Sequence, residues 1–300
     1  MLAFSDNIRG ALLMMGAMCA YTINDAFMKA VAADIPLFQA IFVRGVAAVL
    51  FLAIICQMMG QYRTDISRHD WGLIVLRSAA ELSGTYFFLT ALLNMPIANI
   101  SAIMQVLPLS VALGAALFLR EPLGWRRLTA ILIDFGGVLL IIQPGGEAFN
   151  SFSLYALVVV VCITVRDLTV RRLSRDVPPV FVALVAAIGG AGLGAVGTLF
   201  SPWAPLTGAA GLQLGGATLF LVCGYIFSVS AMRWGEIGFD DPFRYTSLVV
   251  AVLLGVIVFD EWPNGMMLLG AAIVVATGLF TLYRETQLRI RQSNVPDRIR

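Results

Sequence analysis

The chain is 300 residues long, 59% apolar and 13% charged, with a formal net charge of +2 and a mean hydropathy of +0.88. A water-soluble domain carries about 25% charged residues, so this composition excludes a soluble enzyme or receptor domain, and the small net charge offers no field for nucleic acid. A lone histidine, His69, and four scattered cysteines inside apolar runs exclude bis-histidine haem, histidine-held zinc and CxxC metal sites, and no cofactor is expected.

In chain order, apolar segments occur at 8–32, 36–59, 71–93, 97–118, 127–143, 152–173, 178–199, 211–232, 239–259 and 264–284. Each approaches the length of about 20 residues that spans a hydrocarbon core of about 30 Å. Ile8–Tyr21 resembles a signal-peptide core, but Asn24, Asp25 and Lys29 follow without a small-residue cleavage site, so a retained first helix is expected. Pro108 falls inside the fourth segment and predicts a kink there. Gly190/Gly194 in the seventh and Gly211/Gly215 in the eighth have the spacing that lets helices approach closely. Short breaks such as Asp34-Ile-Pro36, Met95-Pro96 and Pro178-Pro179 force neighbouring helices to run antiparallel. Continuous rather than alternating runs exclude a β-barrel.

The basic residues separate by side. Fifteen lie in alternate loops and at the two ends, among them Arg63, Arg68, Arg120, Arg171, Arg172, Arg233 and the tail from Arg284 to Arg300. The intervening loops (33–36, 94–97, 144–151, 200–211 and 260–264) carry no Lys or Arg. Under the positive-inside rule both termini face the cytoplasm, and the bilayer expected is a bacterial-type inner membrane.

The halves also resemble each other. Asp25, Lys29, Asp34 and Pro36 recur 142 positions later as Asp167, Arg171, Asp176 and Pro178. Leu119-Arg-Glu121-Pro recurs as Phe259-Asp-Glu261-Trp at 140, and Tyr86 meets Tyr225 at about the same interval. Five spans per half is odd, so the second half must insert upside down. The expected fold is an all-α membrane protein of ten transmembrane helices in two inverted five-helix repeats, 8–143 and 152–284, with a cytoplasmic basic tail at 285–300.

Ala91-Leu-Leu-Asn-Met-Pro-Ile-Ala98, Glu121, Asp134-Phe-Gly-Gly-Val138, Arg244-Tyr-Thr-Ser247 and Phe259-Asp-Glu261-Trp resemble motifs of the EamA branch of the drug/metabolite transporter superfamily. The resemblance runs from Gly10 to about Tyr283. It implies ten helices, membrane transport, and a substrate among amino acids, metallophores, S-adenosylmethionine and riboflavin.

Charges inside the spans point to an interior site, because each costs about 3 kcal/mol at mid-bilayer. Asp25/Lys29, Arg77/Glu81, Asp167/Arg171 and Asp240/Arg244 stand at i,i+4 and can neutralise one another. Arg44, Asp134 and Arg166 have no such partner, and Asp134 is a candidate counter-ion for Arg44. Arg44, Arg77 and Arg166 are therefore the expected substrate-binding cations, since a guanidinium fork donates two hydrogen bonds to one acceptor group. Asn24, Tyr86, Gln105, Tyr225 and Tyr245 could complete the pocket. Asp25, Glu81, Asp134 and Asp167 are candidates for ion pairing or proton coupling, and no metal site is expected. The expected function is secondary-active transport, by alternating access, of a small polar aromatic or zwitterionic metabolite. A channel-like facilitator is the alternative, and an intramembrane enzyme, lacking any catalytic motif, comes last. A homodimer stays open.

Overall fold

A computed structural model describes residues 2–62, 65–120, 124–145, 150–174, 176–234 and 241–293; side chains are described except at 2–7, 126–127, 229, 232–234, 241–242, 282 and 284–293. The described residues are all helical or loop. In order they form α1 (Leu2–Val31), α2 (Leu37–Met58), α3 (Arg68–Asn94), α4 (Ile97–Met104), α5 (Leu107–Leu119), α6 (Trp125–Ile142), α7 (Phe152–Val170), α8 (Pro179–Thr198) and α9 (Gly208–Trp234). A 3-10 turn at Asp241–Tyr245, α10 (Thr246–Phe259) and α11 (Gly265–Ser293) complete the chain. With α4–α5 taken as one broken helix, and the 3-10 turn with α10 as another, ten helical segments result, matching the ten apolar runs. Six of them are long and apolar enough to cross a membrane, and three shorter apolar stretches accompany them. The tenth, α3, carries Arg68, Asp70, Arg77 and Glu81, which lower its hydropathy.

The helix break in the fourth segment follows from Pro108. A proline ring clashes with the carbonyl four residues back and removes one hydrogen bond, and α4 ends at Met104. The 3-10 turn at Asp241–Tyr245 precedes α10 at the position 140 residues on. Arg120 and Asp260, also 140 apart, both close their helices in the left-handed region (φ 57° and 53°), their N–H groups reaching Ala115 O and Gly255 O.

Packing pairs α1 with α9, α2 with α8, α3 with α7, α4 with α10 and α6 with α11. The α2–α8 seam shows why glycine is needed. A Cβ at Gly194 would lie 2.5 Å from Phe42 N, and one at Gly45 2.9 Å from Ala191 Cα. Of the Gly190/Gly194 pair, Gly194 makes the expected close approach, whereas a Cβ at Gly190 would meet only Leu82 Cδ2 of α3 at 3.8 Å. The Gly211/Gly215 pair makes no close approach, since a Cβ at either would meet nothing within 4 Å.

The loops cluster at two ends. At the arginine-poor end, Gln39 exchanges hydrogen bonds with the backbone of Ala204, and Asn150 donates to Asn94 O. At the arginine-rich end, Ser67 caps α3 by accepting from Asp70 N, and Asp70 in turn accepts from Ser67 Oγ, Ser174 N and Ser174 Oγ at 2.7–3.1 Å. The Ser67 hydroxyl, followed by the Ser174 N–H, holds the Asp70 carboxyl below the ordinary carboxylate range. A carboxyl depressed in the folded state stabilises fully above its unfolded value of about 3.9 and loses that contribution as pH falls through the folded one. Asp70→Asn should therefore unfold at a lower temperature than the parent in detergent at pH 7, with the gap narrowing as pH falls below about 4. A gap that does not change with pH would remove the carboxylate from the account.

Candidate functional site

A cavity of about 630 Å³ lies in the middle of the bundle between α1, α2, α3, α7, α8 and α9. All three candidate arginines reach it: Arg44 from α2, Arg77 from α3 and Arg166 from α7. A smaller space of about 220 Å³ shares Arg44, Glu81, Thr85 and Arg166 and extends between α3 and α7. The lining spans the middle of the bundle: Arg166 sits about 6 Å of helix from Val170 at the arginine-rich end, and Ile41 about 6 Å from Leu37 at the arginine-poor end.

Charge is balanced across this cavity. Glu81 lies between two guanidiniums, 3.2 Å from Arg77 Nη2 and 3.6 Å from Arg166 Nη1. Arg166 Nε donates to Asp167 Oδ1 at 2.8 Å. Adjacent residues on a helix point to different faces, but the long guanidinium stem of Arg166 folds back along α7 and closes that gap. Asp167 therefore pairs with Arg166, in addition to whatever Arg171 contributes. Arg44 interacts electrostatically with Asp25 of α1, with no direct ion pair between them. This corrects two expectations: Asp134 is not that counter-ion, and Asp25 is not paired with Lys29. Asp25 also accepts from Asn24 Nδ2 at 2.9 Å.

Lys29 turns to the opposite end. Its ammonium forms an ion pair with Glu261 and donates to Met95 O at 2.7 Å, with the Phe259 ring 5.3 Å away. The second Glu261 oxygen accepts from Ile97 N at 2.9 Å, capping α4. Both side chains are largely buried, 12% and 18% exposed. This clasp ties α1, the α3–α4 turn and the α10–α11 turn together at the arginine-poor end, joining the two halves by an ion pair.

The remaining candidates separate. Tyr225 lines the cavity beside Tyr21 and Ser228. Tyr86 does not line it: its ring stacks on Phe38 at 5.9 Å and meets Phe87 edge-on. Gln105 fills the α4–α5 break and donates to Ser247 Oγ at 2.8 Å. Tyr245 is buried, its hydroxyl occupying the space that a side chain at Gly278 would need. Asn24 is buried against Asp25 rather than in the cavity lining. Asp134 is 1% exposed on the face of α6 where Gly137 meets Gly270 of α11, and neither of its oxygens has a hydrogen-bond partner among the described residues. Asp240 lies outside the described residues, as does the Glu121 motif.

Sequence reasoning passed over Tyr21, Thr85, Thr218 and Ser228, all of which line the cavity. A signal for three of them was present at helical spacing: Tyr21 precedes Asp25 by four, Thr85 follows Glu81 by four, and Ser228 follows Tyr225 by three.

Comparison with known proteins agrees with this architecture. The EamA-like transporter family model matches residues 8–143 and again 150–283. The riboflavin transporter of Vibrio cholerae is 26% identical, with 96% of this chain and 97% of that protein aligned. An S-adenosylmethionine uptake transporter of Rickettsia prowazekii is 21% identical over 94% and 95%, and the pseudopaline exporter CntI of Pseudomonas aeruginosa 22% over 89% and 93%. A solved crystal structure shares the fold with a TM-score of 0.61 at 17% identity, covering 93% of this chain and 98% of that one. Two family matches that together span nearly the whole sequence place the chain in the EamA-like transporter family.

Proposed function

We propose that the protein is a secondary-active carrier of a bacterial-type inner membrane that moves a small, polar, uncharged or zwitterionic metabolite by alternating access through the central cavity. The reading includes two inverted five-helix repeats with both termini in the cytoplasm. The helix pairing supports it, because α1–α9, α2–α8 and α3–α7 exchange with one another when the halves are swapped. The matched left-handed caps and helix breaks 140 residues apart support it too. On this topology the arginine-rich end is cytoplasmic. The Lys29–Glu261 clasp then lies at the outer end, where it acts as the gate of a carrier closed on that side.

The observation that carries the substrate class is the charge balance. Arg44, Arg77 and Arg166 face Asp25, Glu81 and Asp167, so a ligand of net charge would leave one interior group uncompensated. A planar heteroaromatic solute bearing donors and acceptors on its edge suits the remaining groups. Tyr21 and Tyr225 offer ring faces and hydroxyls, Thr85 and Ser228 further hydroxyls, and guanidinium planes stack on aromatic rings. Similarity to a riboflavin transporter over nearly the full length makes riboflavin the leading candidate. A cavity of about 630 Å³ falls in the range of about 300–1,000 Å³ typical for a ligand of that size.

Growth of a riboflavin auxotroph at low external vitamin tests this, combined with uptake of labelled riboflavin challenged by S-adenosylmethionine and amino acids. Rescue with saturable uptake and counterflow is expected. Saturable transport of a competitor without flavin uptake would overturn the substrate, and a continuous conductance would overturn the carrier.

A further inference from the structure

Outside the cavity, one groove on the bundle has a length, lining and terminal charge that together define an occupant. It runs between α3, α5 and α7, holds about 480 Å³, and is lined by Leu73, Leu76, Leu113, Leu117, Val161 and Leu168. Its origin is the break at Pro108. Past the break, α5 leans on α7: a Cβ at Gly114 would lie 2.7 Å from Leu168 Cδ1, and the hydroxyls of Ser110 and Thr164 pair. The diverted helix leaves the apolar side chains of α3 and α5 on either side of an unfilled trough floored by α7. The trough opens outward, with Leu76 51%, Leu117 67% and Val161 61% exposed, so in a membrane it faces lipid.

From Thr169 to Val160 the lining runs nine residues along α7, about 14 Å. That is about half of a hydrocarbon core of about 30 Å, hence the depth of one leaflet. Its deep end is at the Ser110–Thr164 pair, where the two hydroxyls satisfy each other. Its shallow end lies at Arg172, which donates from Nη2 to Phe118 O at 2.9 Å. Arg120, at the end of α5, and Arg171 stand at the same end of the bundle, both exposed. A groove one leaflet deep, apolar along its length and basic at its mouth, matches a lipid whose chain lies along the helices and whose head is anionic.

We propose that this groove is a binding site for one anionic glycerophospholipid of the leaflet at the arginine-rich end, an acyl chain lying against Leu117 and Val161 and the headgroup at Arg172 and Arg120. The lipid fills the space that the broken helix leaves, and it does so without entering the central cavity. This inference is independent of which solute the carrier moves.

The test counts phospholipid retained by the purified full-length protein in native mass spectra after delipidation and re-addition of phosphatidylglycerol or phosphatidylcholine with identical chains. One phosphatidylglycerol per chain is expected, retained at least fivefold better than phosphatidylcholine. Leu117→Trp, at an exposed rim position, should lower retention of both lipids severalfold by filling the trough. Arg172→Gln should abolish the headgroup preference, and Arg172→Lys should keep it. Should retention ignore all three substitutions, the site is overturned. Loss of a dimer in Leu117→Trp would instead assign the groove to a second copy, and displacement of the lipid by a transported solute would assign it to the transport path. Thermal unfolding of each variant in the same detergent separates a filled groove from a misfolded chain.

Discussion

Replacing Glu261 by Gln is expected to open the arginine-poor end of the cavity. The carboxylate serves Lys29 through one oxygen and Ile97 N through the other, and a glutamine amide keeps the second role while losing the ion pair. Removing one partner of a largely buried pair leaves the other charge uncompensated, at a cost of about 3 kcal/mol. If that contribution exists only while the end is closed, the balance between closed and open shifts about a hundredfold, because 1.4 kcal/mol is a factor of ten. The measurement is labelling of an Ala186→Cys probe in the cavity by an impermeant thiol reagent added from the outer face. Cys19, Cys56, Cys162 and Cys223 are replaced by Ser in the background. Labelling should quicken at least tenfold in Glu261→Gln and in Lys29→Met. The reversed pair, Lys29→Glu with Glu261→Lys, should restore much of the protection. Unchanged labelling in both single variants would show that the clasp holds the loops without gating the cavity.

Glu81→Gln should weaken transport of an uncharged substrate by roughly tenfold. Glu81 is the acid shared by Arg77 and Arg166, and Arg77 Nε and Nη1 have no hydrogen-bond partner among the described residues. Without the carboxylate, two guanidiniums face the cavity with Asp167 as the nearest acid, giving local positive charge. The side chains are 15–32% exposed, so the loss is smaller than for a sealed pair, about 1–2 kcal/mol. That corresponds to roughly a tenfold rise in KM for the uncharged solute. The same change should make a net-anionic analogue, such as the 5′-phosphate of the same flavin, a better inhibitor, and Glu81→Asp should retain most of the parental selectivity. An unaltered KM together with unaltered inhibition would take the Arg77–Glu81–Arg166 group out of substrate binding.

How much of this was legible in the sequence depends on the range of the interaction. Ten helical segments and their short connections could be read directly, because span length and apolarity are properties of consecutive residues. The kink at Pro108 and the close approach at Gly194 were legible for the same reason: each is caused by one residue's own geometry. The arginines of the cavity could be found because a guanidinium in an apolar run has few places to go. Their partners could not. Helical spacing predicted Asp25 with Lys29, yet Lys29 crosses the bundle to Glu261, 232 positions away, and Asp25 turns to Arg44 on the next helix. Local spacing states only that two charges can meet, and a closer or better buried partner on another helix wins.

The aromatics show the same limit. Tyr86 and Tyr225 match in sequence, but Phe38 and Phe87 take up the first while the second faces the cavity. By itself, the sequence determined a ten-segment membrane protein with an unusual store of interior charge and a twofold internal likeness. Only the tertiary structure decided that this charge is balanced group by group around one cavity, and that Lys29 and Glu261 clasp the two halves at the arginine-poor end. The physical reason is that burial and ion pairing depend on distances between helices, which no spacing along a single helix contains.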